Sequence, residues 1–158
     1  MNKENPFIKK CLFPGTFDPI TKGHLDILYR ALPLFDEIVI GIGVNSSKKP
    51  MFPLEQRIAW IEEIFKDKPQ ISVASYEGLT VDFCNQIDAR FILRGIRFVS
   101  DFEYEKAIAD MNRMLQPQIE TYFLTSSPEF ATVSSTLVRD VIRNEGNAKL
   151  FLPKEVKW

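Results

Sequence analysis

The chain has 158 residues, 45% of them apolar and 26% charged, with a formal net charge of −1 at pH 7. That length suits one domain with a substantial core, and the near-zero charge excludes the basic surplus that binding to nucleic acid requires. No apolar run approaches a membrane span, residues 1–10 lack a signal-peptide core, and Cys11 and Cys84 sit far apart in apolar runs, so a cytoplasmic protein with reduced thiols and no membrane partner is expected.

Cys11-Leu12-Phe13 ends a first strand and runs into a turn dense in proline and glycine, Pro14-Gly15-Thr16-Phe17-Asp18-Pro19-Ile20-Thr21-Lys22-Gly23-His24. Pro14-Gly15 lets the backbone bend where a side chain would clash, and Thr21 and Gly23 are both helix-entry residues. Leu25, Leu28, Tyr29 and Leu32 then recur at helical spacing, predicting a helix over 25–35. His24 falls in its first turn, where free N–H groups and the dipole attract anions. The β-branched run 38–44 predicts a strand buried on both faces, which closes a βαβ unit. A polar loop, 45–50, carries Lys48 and Lys49, and Pro53 opens a helix with an apolar stripe of Leu54, Ile58, Ile61, Ile64 and Phe65.

A shorter strand is expected over 71–74, a helix over 79–87, and a fourth strand over 91–93 that runs into Arg94-Gly95-Ile96-Arg97. Asp101 is expected to cap a helix reaching about 115, with Phe102, Ile108, Ala109 and Met111 inward, stopped by Pro117. A fifth strand, 119–124, leads through a loop to Ser134-Ser135-Thr136 and a helix over 137–143. Residues 1–10 read as a short N-terminal extension and 146–158 as a C-terminal packing segment, with no repeat or linker to divide 1–158. The pattern predicts an α/β fold: a single-domain, Rossmann-like parallel five-stranded sheet with helices on both faces. Such sheets bind ligands beyond the carboxyl ends of their strands, and Thr16, His24, Lys48, Arg94, Arg97, Ser134 and Ser135 all fall just after predicted strand ends.

Each candidate also has an ordinary role. Lys48 is by position alone a solvated loop lysine, Arg94 and Arg97 a pair of surface arginines, and Thr80 and Ser134 or Ser135 helix caps. Together they offer cations, backbone donors and the one histidine of the chain, a set that suits phosphoryl or nucleotidyl transfer by positioning and charge stabilisation. No nucleophilic triad or metal-ligand spacing accompanies them.

Thr21-Lys22-Gly23-His24 resembles the H-x-G-H signature of the nucleotidyltransferase superfamily, with Thr21 where the wider group has its first histidine. The run from Pro14 to His24, the segment Ser47-Lys48-Lys49-Pro50-Met51-Phe52, the run from Arg94 to Glu105 and the Val133-Ser134-Ser135-Thr136 turn are together similar to bacterial phosphopantetheine adenylyltransferases. The likeness extends over nearly the whole chain beyond residue 10; Phe130 and Ala131 depart from the usual Trp-Ser, at the adenosine end of the site.

The resemblance implies transfer of AMP from ATP to 4′-phosphopantetheine, with Mg²⁺ arriving on ATP and no dedicated metal site. It implies catalytic roles for His24, Lys48 and Arg94, and acceptor contacts from Thr16, Lys48, Thr80 and Arg94. ATP would be held by Thr16, Phe17, His24, Gly95, Ile96, Arg97 and Glu105, and by Phe130, Ala131, Thr132, Val133, Ser134, Ser135 and Thr136. A hexamer and feedback by coenzyme A are implied by kinship alone. The alternatives are a nucleotidyltransferase acting on nicotinamide mononucleotide or glycerol 3-phosphate, and a non-catalytic adenine-nucleotide-binding module.

Overall fold

The structure, a computed structural model, describes residues 7–158; the rest of the expected N-terminal extension, residues 1–6, lies outside the described residues. Five strands, β1 (Lys10–Gly15), β2 (Glu37–Gly43), β3 (Ile71–Tyr76), β4 (Phe91–Ile96) and β5 (Glu120–Thr125), form one parallel sheet in the order β3-β2-β1-β4-β5. Helices α1 (Lys22–Ala31), α2 (Leu54–Phe65), α3 (Thr80–Gln86), α4 (Val99–Leu115) and α5 (Ser135–Arg143) connect and flank them. Among the described residues no helix is long and apolar enough to cross a membrane.

Successive strand residues point to opposite faces, so a sheet covered on both sides needs apolar residues at every position. The central strands supply them. Cys11, Phe13, Ile38, Ile40, Ile42 and Leu93 pack with Ile27 and Leu28 of α1, Trp60 and Ile61 of α2 and Val138 of α5. Their neighbours Leu12, Val39 and Ile92 face the other way, onto Val81, Phe83 and Cys84 of α3. α4 lies on this second face, where Phe102 meets the ring of Phe123 on β5, centroids 5.7 Å apart.

Several boundaries differ from the sequence expectation, each for a local reason. β1 continues through Pro14 and Gly15, which pair in register with Gly41 and Ile42 of β2. β4 likewise continues to Ile96, so Arg94 and Gly95 are strand residues rather than residues of a following loop. α1 starts three residues early because Thr21 caps it, and it ends at Ala31, just before Leu32 and Pro33. The cap of α4 is Phe98; Asp101 sits inside the helix, where its carboxylate accepts from the Arg97 N–H.

The inward face predicted for α4 is only loosely covered, and Met111 turns away from the sheet. Phe102, Ile108 and Met111 are 44%, 36% and 64% exposed, Ala109 is half-buried, and Glu105 is the buried residue of the helix. In the C-terminal segment Leu152 and Val156 are buried, and the Phe151 carbonyl accepts from the Lys22 N–H at 2.9 Å, fastening the tail to the start of α1.

Candidate active site

Reversal of strand order between β1 and β4 creates a switch point, and the two strands pair only at Cys11 with Phe91 and Leu12 with Ile92. Beyond Leu12 the backbones part. Arg94 spans the gap: its NH1 donates to the Pro14 carbonyl, while its Nε and NH2 donate to the two carboxylate oxygens of Glu105 at 2.7 and 2.5 Å. A guanidinium thus replaces the missing ladder contact and remains part-exposed beside the opening.

A cavity of about 630 Å³ opens in this split, walled by the end of β1, the start of α1, β4, the first turns of α4 and the entry to α5. A second cavity, about 370 Å³, adjoins it and shares Pro14, Gly15, Thr16, Arg94 and Glu105 with the first. The two volumes meet at the Arg94–Glu105 pair. Thr80 lies in the second cavity, its hydroxyl 3.0 Å from that of Tyr76, whose ring stacks on Phe83.

His24 stands at the third position of α1 and closes a reciprocal cap. The Thr21 hydroxyl accepts from the His24 N–H at 3.4 Å, and His24 Nδ1 accepts from the Thr21 N–H at 3.0 Å. An Nδ1 that accepts carries no proton, so the neutral ring holds its hydrogen on Nε2. Nε2 makes no hydrogen bond to the described residues and is left for the cavity. Phe17, buried and held at φ +45°, presents its ring edge-on to the imidazole at 5.0 Å. Gly15 permits this approach, because a Cβ there would lie 2.9 Å from the Phe17 ring.

Burial, then the charges of Arg94 and Arg97, push the His24 pKa down to about 4. The ring is therefore neutral at pH 7 and serves as a hydrogen-bond donor rather than as a cation. Arg97 donates from Nε and NH2 to Asp101 at 2.9 and 3.1 Å on the cavity wall. Burial raises the Asp101 pKa, but the bonds from Arg97 outweigh it and hold the carboxyl below the usual aspartate range. Across the cavity, Ser134 caps α5 through the Leu137 N–H, and Ser135 donates to the Pro19 carbonyl at 2.7 Å. These serines thus have structural jobs while facing the space where an anion would meet the α5 N-terminus.

Of the residues expected at the site, Thr16, Phe17, His24, Arg94, Gly95 and Arg97 line the larger cavity. So do Glu105, Val133, Ser134, Ser135 and Thr136. Glu105 is there as the counter-ion of Arg94, and Gly95 is needed for packing, since a Cβ on it would come within 3.1 Å of Ile27 on α1. Ile96, Phe130, Ala131 and Thr132 lie outside the cavity wall; Ile96 is buried and Thr132 exposed. Lys48 is not brought in either: it sits in an exposed turn, its N–H bonded to the Asn45 carbonyl.

Sequence reasoning passed over Asp26, whose carboxylate accepts from the Ser127 hydroxyl and N–H at 2.7 and 3.0 Å and ties α1 to the loop after β5. It also passed over Asp18, Arg57 and Arg139, which fasten the Thr16 loop from three sides. A charged residue inside an apolar stripe, as Arg57 is in α2, was the available signal. Burial pushes the Cys84 thiol up to about 12 and raises that of Cys11 as well, which leaves both unreactive near neutrality.

Because His24 is the only histidine, its imidazole proton resonances can be followed without ambiguity. They are expected to titrate with a midpoint near the value of about 4 that burial and the two arginines impose, and a midpoint between 6 and 7 would remove that environment. The linkage has a matching sign: the unfolded chain takes up this proton first, so stability relative to His24→Gln falls as pH drops from the ordinary histidine value toward 4.

The sequence profile of the cytidylyltransferase-like family matches residues 12–141. Among curated relatives, the phosphopantetheine adenylyltransferase of Flavobacterium psychrophilum is 55% identical over 95% of this chain and 99% of its own length. That of Bacteroides fragilis is 50% identical over 93% and 97%. A solved bifunctional NMN adenylyltransferase/ADP ribose pyrophosphatase from Francisella tularensis shares the fold, with a TM-score of 0.70 at 18% identity over 92% of this chain and 45% of its own. With the family profile spanning residues 12–141 and relatives 50% and 55% identical over nearly the full length, the chain belongs to the phosphopantetheine adenylyltransferase family of cytidylyltransferase-like proteins.

Proposed function

We propose that this chain transfers the adenylyl group of ATP to 4′-phosphopantetheine, releasing pyrophosphate and forming dephospho-coenzyme A. The observation that carries this reading is the pair of joined cavities meeting at Arg94, with the single imidazole on the wall of the larger one. ATP would lie in the larger cavity, its β- and γ-phosphates toward Arg97 and the α5 N-terminus. The acceptor would lie in the smaller cavity, its phosphate beside Thr16 and Arg94. An acceptor phosphate oxygen attacks the α-phosphorus in line, the new P–O bond forms, and the bond to the β-phosphate bridging oxygen breaks with its electron pair leaving on pyrophosphate. No protein nucleophile is required, and both thiols are unreactive.

His24 would donate from Nε2 to a non-bridging α-oxygen as charge builds there, a hydrogen bond worth most in the transition state. Neutrality of the ring suits a donor that loses no proton, with the cationic charge supplied by Arg94, Arg97 and, from its loop, Lys48. Mg²⁺ would arrive as part of the substrate MgATP; among the described residues no group of three His, Cys, Asp or Glu side chains is placed to hold a metal ion. The work of such an enzyme belongs in the cytoplasm, where ATP is supplied.

We further propose that the chain works as a homo-oligomer, hexameric by family resemblance. The outward face of α4 supports this: Val99, Met111 and Met114 are 76%, 64% and 83% exposed, and Tyr122 on the edge strand β5 is 46% exposed. Apolar groups so placed are normally covered by another surface.

Three experiments bear on these readings. Incubation with MgATP and 4′-phosphopantetheine should yield dephospho-coenzyme A by mass spectrometry, while nicotinamide mononucleotide or glycerol 3-phosphate yields no adduct; absence of the first product would defeat the reading. His24→Ala should lower kcat by about 100-fold or more with ATP affinity nearly unchanged. For assembly, Met111→Glu with Met114→Glu should reduce the mass measured by light scattering, and an unchanged oligomer would place the interface elsewhere.

A further inference from the structure

Lys48 is the one expected catalytic group that the structure leaves outside the cavities, and among the described residues its loop is hydrogen-bonded to the rest of the fold only at its ends. Residues 45–50 are exposed, held internally by Asn45, whose side chain accepts from the Ser47 N–H and hydroxyl. Before the loop, the Val44 N–H donates to the Tyr76 carbonyl at 2.8 Å. After it, the Met51 and Phe52 N–H groups donate to the two carboxylate oxygens of Asp18 at 2.8 and 2.9 Å. Asp18 is 5% exposed and comes from the same turn as Thr16, so its carboxylate joins the Lys48 loop directly to the cavity wall.

Arg57 doubles the fastening. It is also 5% exposed; its NH1 donates to the Thr16 carbonyl at 2.6 Å and its Nε to the Phe52 carbonyl at 3.0 Å. One guanidinium therefore bridges the two segments that the Asp18 carboxylate bridges. Arg139 of α5 adds a bond to the Asp18 carbonyl at 2.7 Å, which holds the turn from the triphosphate side. Buried charges are costly unless paired and hydrogen-bonded, and here the partners are almost all backbone groups of the two segments. A side chain needed for bulk alone would be apolar at such positions.

We propose that Asp18 and Arg57 are positioning residues for Lys48: they fix the hinge at Met51 and Phe52 against Thr16, so that the exposed loop delivers its ammonium to the transferring phosphate. The inference rests on the adenylyl-transfer reading above. Lys48 lies three residues before the hinge, a tether of roughly 10 Å when extended, to which the lysine side chain adds its own length. An anchored hinge keeps that reach centred on the cavity mouth. A displaced one moves the charge by ångströms, and misplacement of about 1 Å is enough to cost about 100-fold in rate.

The test is a double-mutant cycle on kcat with Lys48→Ala, Asp18→Asn and the combined variant, repeated with Arg57→Gln in place of Asp18→Asn. ATP binding by calorimetry reports whether each protein is folded. If Asp18 acts through Lys48, Asp18→Asn lowers kcat by about 10–100-fold on the wild-type background and adds little once Lys48 is gone. Multiplying losses would overturn the proposal, and so would a Lys48→Ala protein with wild-type kcat. Should Asp18→Asn fail to bind ATP, the Arg57→Gln cycle decides; loss of ATP binding in both would assign the clamp to folding and likewise overturn it. A wild-type protein that makes no dephospho-coenzyme A would instead refute the activity itself, an outcome separate from any pattern in the cycle.

Discussion

The site depends on a hydrogen bond between a backbone amide and a ring nitrogen. By accepting from the Thr21 N–H, His24 Nδ1 completes the cap of α1 and at the same time fixes which nitrogen carries the proton. A helix needs its first amides satisfied, so the energy that forms α1 also orients the imidazole. Protonating Nδ1 would set an N–H against the Thr21 N–H. The cap and the field of Arg94 and Arg97 therefore favour the same neutral state. Thr21 supplies the other half of this device from a fully buried position. Its presence in place of a first histidine has a structural sense: a hydroxyl there caps α1 and contacts Nδ1 at 3.0 Å without adding a second titrating ring.

The cavity itself follows from topology. Strand order reverses between β1 and β4, the ladder stops after two pairs, and the Pro14 carbonyl is left to a side chain. Arg94 takes that role while Glu105 balances its charge. A guanidinium fixed through all three nitrogens has little orientational freedom left to lose when an anion binds, which is the sense in which such a site is preorganised. Glu105 lowers the positive charge seen from both cavities before substrates arrive. Its pairing with Arg94 explains why α4 buries a carboxylate.

Much of this was legible in the sequence because it is local. Continuous β-branched runs gave the central strands, the Pro-Gly turn followed by helical spacing gave the β1–α1 junction, and the Thr21-Lys22-Gly23-His24 spacing set the imidazole in the first turn of α1. What could not be read depends on long-range contacts. The Asp18 clamp closes across 33 and 34 residues, the Arg57 bond to Thr16 across 41 and the Arg94 bond to Pro14 across 80. Arg94 looked like a loop residue because a charge inside a buried strand is costly until Glu105 is placed beside it. Periodicity on α4 reports that a face is covered, not how tightly: Phe102 meets Phe123, Ile108 and Ala109 line the smaller cavity, and Met111 looks outward. Resemblance groups Lys48 with the others, but its loop stands apart because nothing in a short polar turn specifies where its tip rests.

One neutral imidazole, locked by its helix cap, offers an Nε2–H to the larger cavity. Nitrogen-15 NMR of the labelled protein at pH 7 tests it directly, since the two ring nitrogens of His24 give distinct shifts when one is protonated and the other is not. The expected spectrum shows a protonated Nε2 and an unprotonated, hydrogen-bonded Nδ1. Two protonated nitrogens, a proton on Nδ1, or averaged shifts from exchanging tautomers would contradict it.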